Sequence, residues 1–432
     1  MEIITLTILA ILGIGAVLRS SWALVLILLM FTLEQSLQAS VSAFRAQPAL
    51  ANYVIGSLVV ASAARAVFVT PFIFRGYFSR CWWFTIVIFA WGAFSLLWTP
   101  SAEFATEMTR SGLPYFVLCI VIAPLLIDGI DDFHSLGGLL LFWGTIIAIT
   151  IVVNPEFNIR SGRLGFALTE RVRSNPLALG ELGGTLMIVA SLYKGRRTNL
   201  ATSVLRAAAF IVGTILALYS GSRGQVLFAG SVALGFVAVA RPVRSLASFA
   251  TTVLLVLFLA ASLLLLAQLF LDSNLAYRWD TSVLAEGAEV RRLNILDLLI
   301  AFLRTPLAWV IGLGWNAFSS ITDASTEPYS HSLLIDVLCE LGIPMLMIYA
   351  ALLMEVYRSS RSLVLAVRDK PIERAGVASF VALAAYQFLL SNKQGHLWGV
   401  CPMFLIFILI CRVRIRHDAF APLPQMPPSA AI

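Results

Sequence analysis

The chain has 432 residues, of which 59% are hydrophobic and 12% charged, and its mean hydropathy is +0.90. Soluble domains average about 25% charged residues, so half that fraction leaves too little polar surface for a water-soluble protein of this length. The hydrophobic residues fall in long runs without period-two alternation, which predicts membrane-spanning helices and excludes a β-barrel. The net charge of +7 comes without a Lys-rich tract, and we therefore expect no nucleic-acid partner.

Taken in chain order, the apolar runs predict an all-α, polytopic transmembrane helix bundle of about 12–13 spans. The first run follows Glu2 without a basic segment or a convincing cleavage site, so it is interpreted as an uncleaved span. The predicted span cores are 3–18, 22–38, 52–70, 81–98, 112–127, 136–153, 176–193, 204–219, 224–240, 246–271, 333–356, 375–391 and 398–411.

Basic residues in short loops predict which ends of the spans face the cytoplasm. When the spans alternate, the basic clusters all fall on one side, and we predict that this side and the C-terminus are cytoplasmic. The clusters are Arg75 with Arg80, Lys194 to Arg206, Arg241 with Arg244, Arg358 to Arg374, and Arg412 to Arg416.

The opposite side receives a loop at about 154–175 and one large loop at about 272–332. Within the large loop, apolar residues recur at helical spacing over Val290–Val310, which predicts an amphipathic helix before the turn Gly312-Leu313-Gly314. The predicted segments are N-terminal transmembrane helices (1–153), central transmembrane helices with an Arg-rich outer loop (154–271), a large periplasmic loop (272–332), C-terminal transmembrane helices (333–411) and a cytoplasmic tail (412–432).

Many arginines are predicted on the outer side, against the usual charge bias of membrane loops. They indicate an anionic ligand there, or long loops that cross the membrane regardless of charge, and the pattern leaves both readings open. They are Arg160, Arg163, Arg171, Arg173, Arg223, Arg278, Arg291, Arg292 and Arg304.

Three ionisable residues stand where the chain enters the predicted bundle. Arg223 lies in the small-residue junction Ser220–Gly224, where a tight turn predicts a functional guanidinium at the bundle mouth or one that reaches lipid headgroups. His331 lies where the large loop re-enters the membrane, and such a residue is a proton acceptor or a structural group. Glu340 follows within the same predicted span and is expected to have a partner, either a substrate or another helix.

Other reactive residue types predict no metal site and no cofactor. Asp128, Asp131 and Asp132 form an acidic cluster, which we interpret as a solvated loop rather than a Mg²⁺ site. The five cysteines lie in or beside apolar runs without metal-binding spacing, and they are expected to be small buried groups.

The order of these features resembles the O-antigen ligase and polymerase superfamily of bacterial envelope glycan assembly. Arg223-Gly-Gln-Val-Leu227 is similar to that family's Arg-x-x-x-Leu pattern. The segment from Arg292 through Pro306 to Gly312-Leu-Gly314 is similar to its Arg…Pro…Gly-x-Gly segment. His331-Ser332, followed after nine residues by Gly342, is similar to its His motif. The resemblance extends from about Arg160 to Gly342, and the preceding residues match only in hydrophobicity.

The resemblance implies a metal-independent glycosyltransferase in the bacterial inner membrane. It would move a glycan from undecaprenyl diphosphate to an acceptor hydroxyl at the periplasmic face, with a glycan or lipid A–core as acceptor and membrane lipids around it. Arg223 and Arg292 would bind the diphosphate, with Arg291 as second choice, and His331 would act on the acceptor hydroxyl as base or orienting group. Arg163, Arg171 and Glu340 complete the candidate substrate-binding set, Glu340 with the alternative that it holds its helix in register.

Two alternatives remain open at the level of sequence. The same motifs fit a polymerase that extends lipid-linked repeat units or exopolysaccharide. A transporter or flippase for a lipid-linked sugar is the reading outside enzymes, although the internal repeats typical of transporters are not visible. The transferase reading predicts that His331 and the arginines line one outward-facing cavity beneath the large loop.

Overall fold

The structure, a computed structural model, describes residues 1–70, 72–160, 163–166, 174–196, 199–241, 281–322 and 330–420, with a few isolated positions between 245 and 254. These residues are almost entirely helical, which confirms the predicted all-α class. The first helices are α1 Glu2–Leu18, α2 Ser20–Leu28, α3 Met30–Ser40, α4 Ser42–Ala46, α5 Ala49–Val69, α6 Arg80–Phe94, α7 Ala102–Phe116 and α8 Ile130–Val153.

The second half of the chain is built in the same way. Short turns of other helix types follow α6 (Ser95–Leu97) and α7 (Val117–Ile122 and Ala123–Leu126) and precede the last helix (Leu397–Val400). The further helices are α9 Pro176–Leu192, α10 Leu200–Tyr219, α11 Arg223–Ala240, α12 Thr281–Arg304, α13 Ala308–Ile311, α14 Phe318–Ile321, α15 Leu333–Leu341, α16 Ile343–Ala366, α17 Pro371–Gln394 and α18 Cys401–Phe420.

Among the described residues, eight helices are long and apolar enough to cross a membrane, or nine if the bent pair α2 and α3 counts as one span. This supports a membrane protein but falls short of the predicted span number for identifiable reasons. The predicted spans at 3–18 and 176–193 form helices of only 17 residues each. The predicted span at 246–271 lies almost wholly outside the described residues.

The predicted span at 333–356 is wrong as a continuous helix. The chain breaks at Gly342, which separates the short α15 from α16 and has φ of +90°. The boundary of the predicted cytoplasmic tail also differs from the structure. The last helix continues to Phe420, so the first part of the predicted tail at 412–432 is helical, and residues 421–432 lie outside the description.

The two predicted outer loops contain secondary structure of their own. Strands Asn158–Arg160 and Arg163–Gly165 pair as a short antiparallel hairpin in the 154–175 loop, which the sequence pattern did not predict. The large loop contains α12, as predicted, although the helix begins before Val290 and ends at Arg304.

One end of the bundle, here called the basic end, carries arginines that donate hydrogen bonds where helices finish. Arg206 and Arg241 both donate to the Ser191 carbonyl at the end of α9, at 3.3 and 3.2 Å. Arg374 donates to the Val239 carbonyl at the end of α11, at 2.5 Å. The last carbonyls of a helix lack partners within it, so these side chains complete the helix ends while they set the charge of this end.

Arg416 and Arg196, from two further basic clusters, contact the residues around the start of α8 at the same end of the bundle. Arg416 donates to the Asp128 carbonyl at 2.9 Å, and Arg196 lies 3.8 Å from the Asp131 carboxylate. The predicted grouping of the basic clusters is therefore seen at one end, while its cytoplasmic orientation stays a prediction. The opposite end, where α10 and α17 finish and α9, α11 and α15 begin, is here called the loop end.

Candidate functional site

His331 occupies a strained turn directly before α15. Its backbone has φ of +65°, a left-handed conformation that non-glycine residues rarely adopt and that is concentrated at functional sites. The Ser330 hydroxyl organises the turn, because it donates a short hydrogen bond to the buried Asp336 carboxylate and accepts one from the Ser332 N–H at 3.1 Å. The fold thus fixes the position of a half-buried imidazole in front of a helix start.

Arg223 is the first residue of α11 and follows the tight turn predicted from the small residues. Gly221 has φ of +65° and turns the chain between α10 and α11. Gln225, the third residue of the helix, donates to the Leu177 carbonyl at 2.6 Å and thereby ties α11 to the start of α9. The half-buried Arg223 side chain therefore starts from a backbone that two neighbouring helices hold in place.

Two consecutive residues at the end of α17 join these positions. The Asn392 side-chain oxygen accepts a hydrogen bond from the Leu334 N–H at 3.1 Å, in the first turn of the helix that follows His331. The Lys393 ammonium donates to the Ser222 hydroxyl at 2.9 Å, directly before Arg223. The turn of His331 and the helix start of Arg223 are therefore anchored on adjacent residues of one helix end.

Two cationic side chains lie at the start of α11. Arg223 is at the helix N-terminus, and the Lys393 side chain packs so closely that a Cβ on Gly224 would lie 3.0 Å from its Nζ. A helix N-terminus already carries a partial positive charge, so cations there are unfavourable and anions are stabilised. This arrangement fits a group that brings negative charge to the loop end.

The Glu340 side chain forms hydrogen bonds to the backbone of the large loop. Its buried carboxylate accepts hydrogen bonds from the N–H groups of Asn316 and Phe318, at 2.9 and 3.1 Å. Its carbonyl accepts from the Gly314 N–H at 3.0 Å. These bonds occupy the carboxylate with the protein's own backbone, which supports the alternative that Glu340 fixes its helix.

The Gly-x-Gly turn and Gly342 interlock at the same place. A Cβ on Gly312, where φ is +81°, would lie 2.0 Å from the Glu340 carbonyl oxygen. A Cβ on Gly342 would lie 2.8 Å from the Val310 carbonyl oxygen. The close approach of these two backbones explains why the chain breaks between α15 and α16, because the turn fills the space beside the break.

The other predicted arginines lie on different elements. Arg292 is exposed on α12, and Arg291 beside it is half-buried. The helix is attached further along, where Leu298 and Phe302 pack against Ala308 and its neighbours. Arg163 lies in the second strand of the hairpin and is half-buried. Arg171 lies outside the described residues.

A cavity of about 320 Å³ lies beside the anchoring end of α17. Neither His331 nor Arg223 is among the described residues that line it, and the outward-facing cavity shared by His331 and the arginines stays a prediction. Its wall includes Glu181, Gln387 and His396, and burial lowers the pKa of His396 to about 4. The described residues contain no group of three or more His, Cys, Asp or Glu side chains that could hold a metal ion.

No protein-family model matches the chain, and no curated protein matches it in sequence. The assignment of a function therefore depends on the geometry described above. Sequence reasoning missed Ser330, Asp336, Asn392 and Lys393 as parts of the site. Lys393, one of only three lysines in the chain, carried the only signal that could have drawn attention to this helix end.

Proposed function

We propose that the protein is a membrane glycosyltransferase that uses a lipid-diphosphate-linked glycan as donor and works at the loop end of the bundle. The observation that carries the proposal is the anchoring of the His331 turn and the Arg223 helix start on Asn392 and Lys393. It ties the turn that carries an imidazole and the helix start that carries a guanidinium to one helix end, and transfer from a diphosphate needs both kinds of group.

The positive groups suit the leaving group of this reaction. When the glycosidic bond to the diphosphate breaks, both bonding electrons stay on the phosphate oxygen, and negative charge grows there. Arg223, Lys393 and the N–H groups that open α11 are donors for that charge, and charge-assisted hydrogen bonds of this kind are strong. Arg291 and Arg292, on α12, are proposed as further contacts to the donor.

His331 suits the other half of the reaction. The acceptor hydroxyl attacks the anomeric carbon, a new C–O bond forms, and the hydroxyl proton must leave. A neutral imidazole accepts such a proton near neutral pH or orients the hydroxyl. The strained backbone at His331 is consistent with this role, since the fold holds the ring in one place at an energetic cost.

The experiment is glycan transfer in a strain that lacks the gene, complemented with the wild type, His331→Ala or Arg223→Ala. Two matched controls remove the same residue types elsewhere, namely Arg358→Ala at an exposed position of α16 and His417→Ala near the end of α18. Membrane levels of every variant are measured on the same samples, and lipid-linked and transferred glycan are separated on gels.

The proposal predicts that both site variants reach normal levels, accumulate lipid-linked glycan and lose at least about tenfold of transfer, as expected for the loss of one transition-state contact. Both controls should transfer as the wild type does. Accumulated single repeat units would assign a polymerase, and accumulated full-length chains a ligase. Full complementation by both site variants would refute the transferase.

One observation favours a lipid-linked sugar transporter as the second candidate. Helices α2 and α3 form a broken span, bent by 70° at Leu29, and transporters place their substrates at such breaks. Under that reading, the lipid-linked glycan would accumulate on the inner leaflet rather than the outer one. Protection of the accumulated glycan from an externally added glycosidase separates the two functions.

A further inference from the structure

The cavity beside the anchoring end of α17 is separate from the charged turn and has a wall of mixed character. Its polar side chains include Glu181, Gln387 and Gln394, and its aromatic ones include Phe31, Tyr115 and Trp398. Ligand pockets are mostly apolar with a few placed polar groups, and they run from about 300 to 1,000 Å³. At about 320 Å³ this cavity belongs to the small end of that range.

Glu181 and Gln387 are the pair that gives the cavity its chemistry. The Gln387 amide donates to a Glu181 carboxylate oxygen at 2.5 Å, across the space between α17 and α9. An amide and a carboxylate side by side offer several acceptors and a donor at fixed positions. That pattern matches neighbouring hydroxyl groups, each of which donates one hydrogen bond and accepts others.

Competing occupants fit the wall less well. A divalent cation prefers several carboxylate oxygens, and Glu181 is the single acidic residue among the described residues of the lining. An acyl or isoprenoid chain would leave Gln394 and the remaining hydrogen-bonding positions of Glu181 and Gln387 unsatisfied when it displaced water, which is costly for buried polar groups. A sugar ring satisfies both halves of the wall, with hydroxyls toward the polar pair and C–H faces toward the rings.

The cavity is also placed where a sugar would be needed. Gln394 in its wall follows directly after Asn392 and Lys393, which anchor the turn of His331 and the start of α11. Glu181 lies one turn beyond Leu177, whose carbonyl accepts the hydrogen bond from Gln225 of α11. A ring in the cavity would therefore lie next to the proposed reacting groups.

We infer that this cavity is a carbohydrate subsite in which Glu181 and Gln387 bind the hydroxyls of one or two sugar rings. The inference rests on the proposed function for the origin of the sugar, which would belong to the donor or the acceptor. Binding itself requires no turnover, so it can be tested apart from transfer.

The test is saturation-transfer NMR on the purified full chain in lipid nanodiscs, without glycoside detergents. The probes are the methyl glycosides of glucose, galactose, mannose, glucuronic acid and N-acetylglucosamine. The variants are Glu181→Ala and Gln387→Leu, with Glu103→Gln as control, because Glu103 is an exposed carboxylate on α7 at the same end. A Glu181→Gln variant preserves the side-chain shape if the alanine variant does not fold.

We expect at least one glycoside to bind the wild type and Glu103→Gln alike. The loss of either cavity side chain should weaken that binding about tenfold or more, as the removal of a buried hydrogen-bonding partner does. The inference is overturned if no glycoside binds the wild type, or if binding persists in both cavity variants. Binding that survives while His331→Ala and Arg223→Ala transfer normally would instead refute the proposed function and keep the subsite.

Discussion

The role assigned to Glu340 gives the sharpest stability prediction. Its carboxylate accepts two backbone hydrogen bonds, from Asn316 and Phe318, and its side chain is only 2% exposed. Glu340→Ala removes the acceptor for both N–H groups at a buried position. We expect the variant to lose the docking of the large loop on α15, and with it the position of the His331 turn.

The expected decrease in the free energy of unfolding follows from the number of hydrogen bonds lost. A buried donor left without a partner costs about 1–3 kcal/mol, so the two N–H groups together cost about 2–6 kcal/mol. Glu340→Gln keeps one acceptor oxygen, so its free energy of unfolding should decrease less than that of Glu340→Ala. The control is Glu373→Ala. Glu373 forms an ion pair with Lys370 at 3.2 Å, and the Lys370 side chain is 61% exposed. Such surface pairs contribute about 0–1 kcal/mol.

The assay is thermal unfolding of the purified protein in one detergent, followed by light scattering and by the recovery of monodisperse protein. The expected order of midpoints is wild type and Glu373→Ala highest, then Glu340→Gln, then Glu340→Ala. If Glu340→Ala unfolds at the same temperature as Glu373→Ala, the carboxylate does not hold the loop, and the structural reading of Glu340 fails.

Three further predictions use other parts of the structure. Gly312→Ala should prevent normal accumulation of folded protein in the membrane, since its Cβ would lie 2.0 Å from a backbone oxygen. Gly230→Ala, with open space around it, should leave the amount of folded protein unchanged or slightly higher in the same measurement. Burial lowers the pKa of His396 from 6.5 to about 4, so the contribution of this residue to stability is present above pH 6.5 and is lost as the pH falls toward 4. Unfolding midpoints should drop over this window more in the wild type than in His396→Asn, which keeps a cap acceptor for the short helix Leu397–Val400 but does not titrate. Lys393→Met should lower glycan transfer about tenfold or more at a normal protein level. Arg374→Met removes the hydrogen bonds to the end of α11, so it should lower the protein level and leave glycan transfer per folded molecule unchanged.

The helical class and the individual spans could be predicted because they depend on local composition. A run of about 20 apolar residues can satisfy its backbone only as a helix in a membrane, and most predicted cores overlap observed helices. The turn before Arg223 was equally local, since small residues permit the positive φ seen at Gly221. The start of α11 was therefore correctly predicted from sequence.

The break at Gly342 could not be predicted in this way. The run at 333–356 is apolar on both sides of the glycine, and nothing local distinguishes it from a continuous span. The break arises because the turn at Gly312 packs against it, and that contact joins residues thirty positions apart. Asn392 and Lys393 were missed for the same reason, because their importance depends on which distant helix starts they contact.

The two ends of the bundle use cations in opposite ways, and this contrast supports the placement of the function. At the basic end, Arg206 and Arg374 donate to carbonyls where helices finish, which is where positive charge is favourable. At the loop end, Arg223 and Lys393 lie where α11 begins, which is where positive charge is unfavourable. Folding alone explains the first arrangement. The second is the arrangement that the proposed function uses, because a helix start with two cations nearby suits a diphosphate.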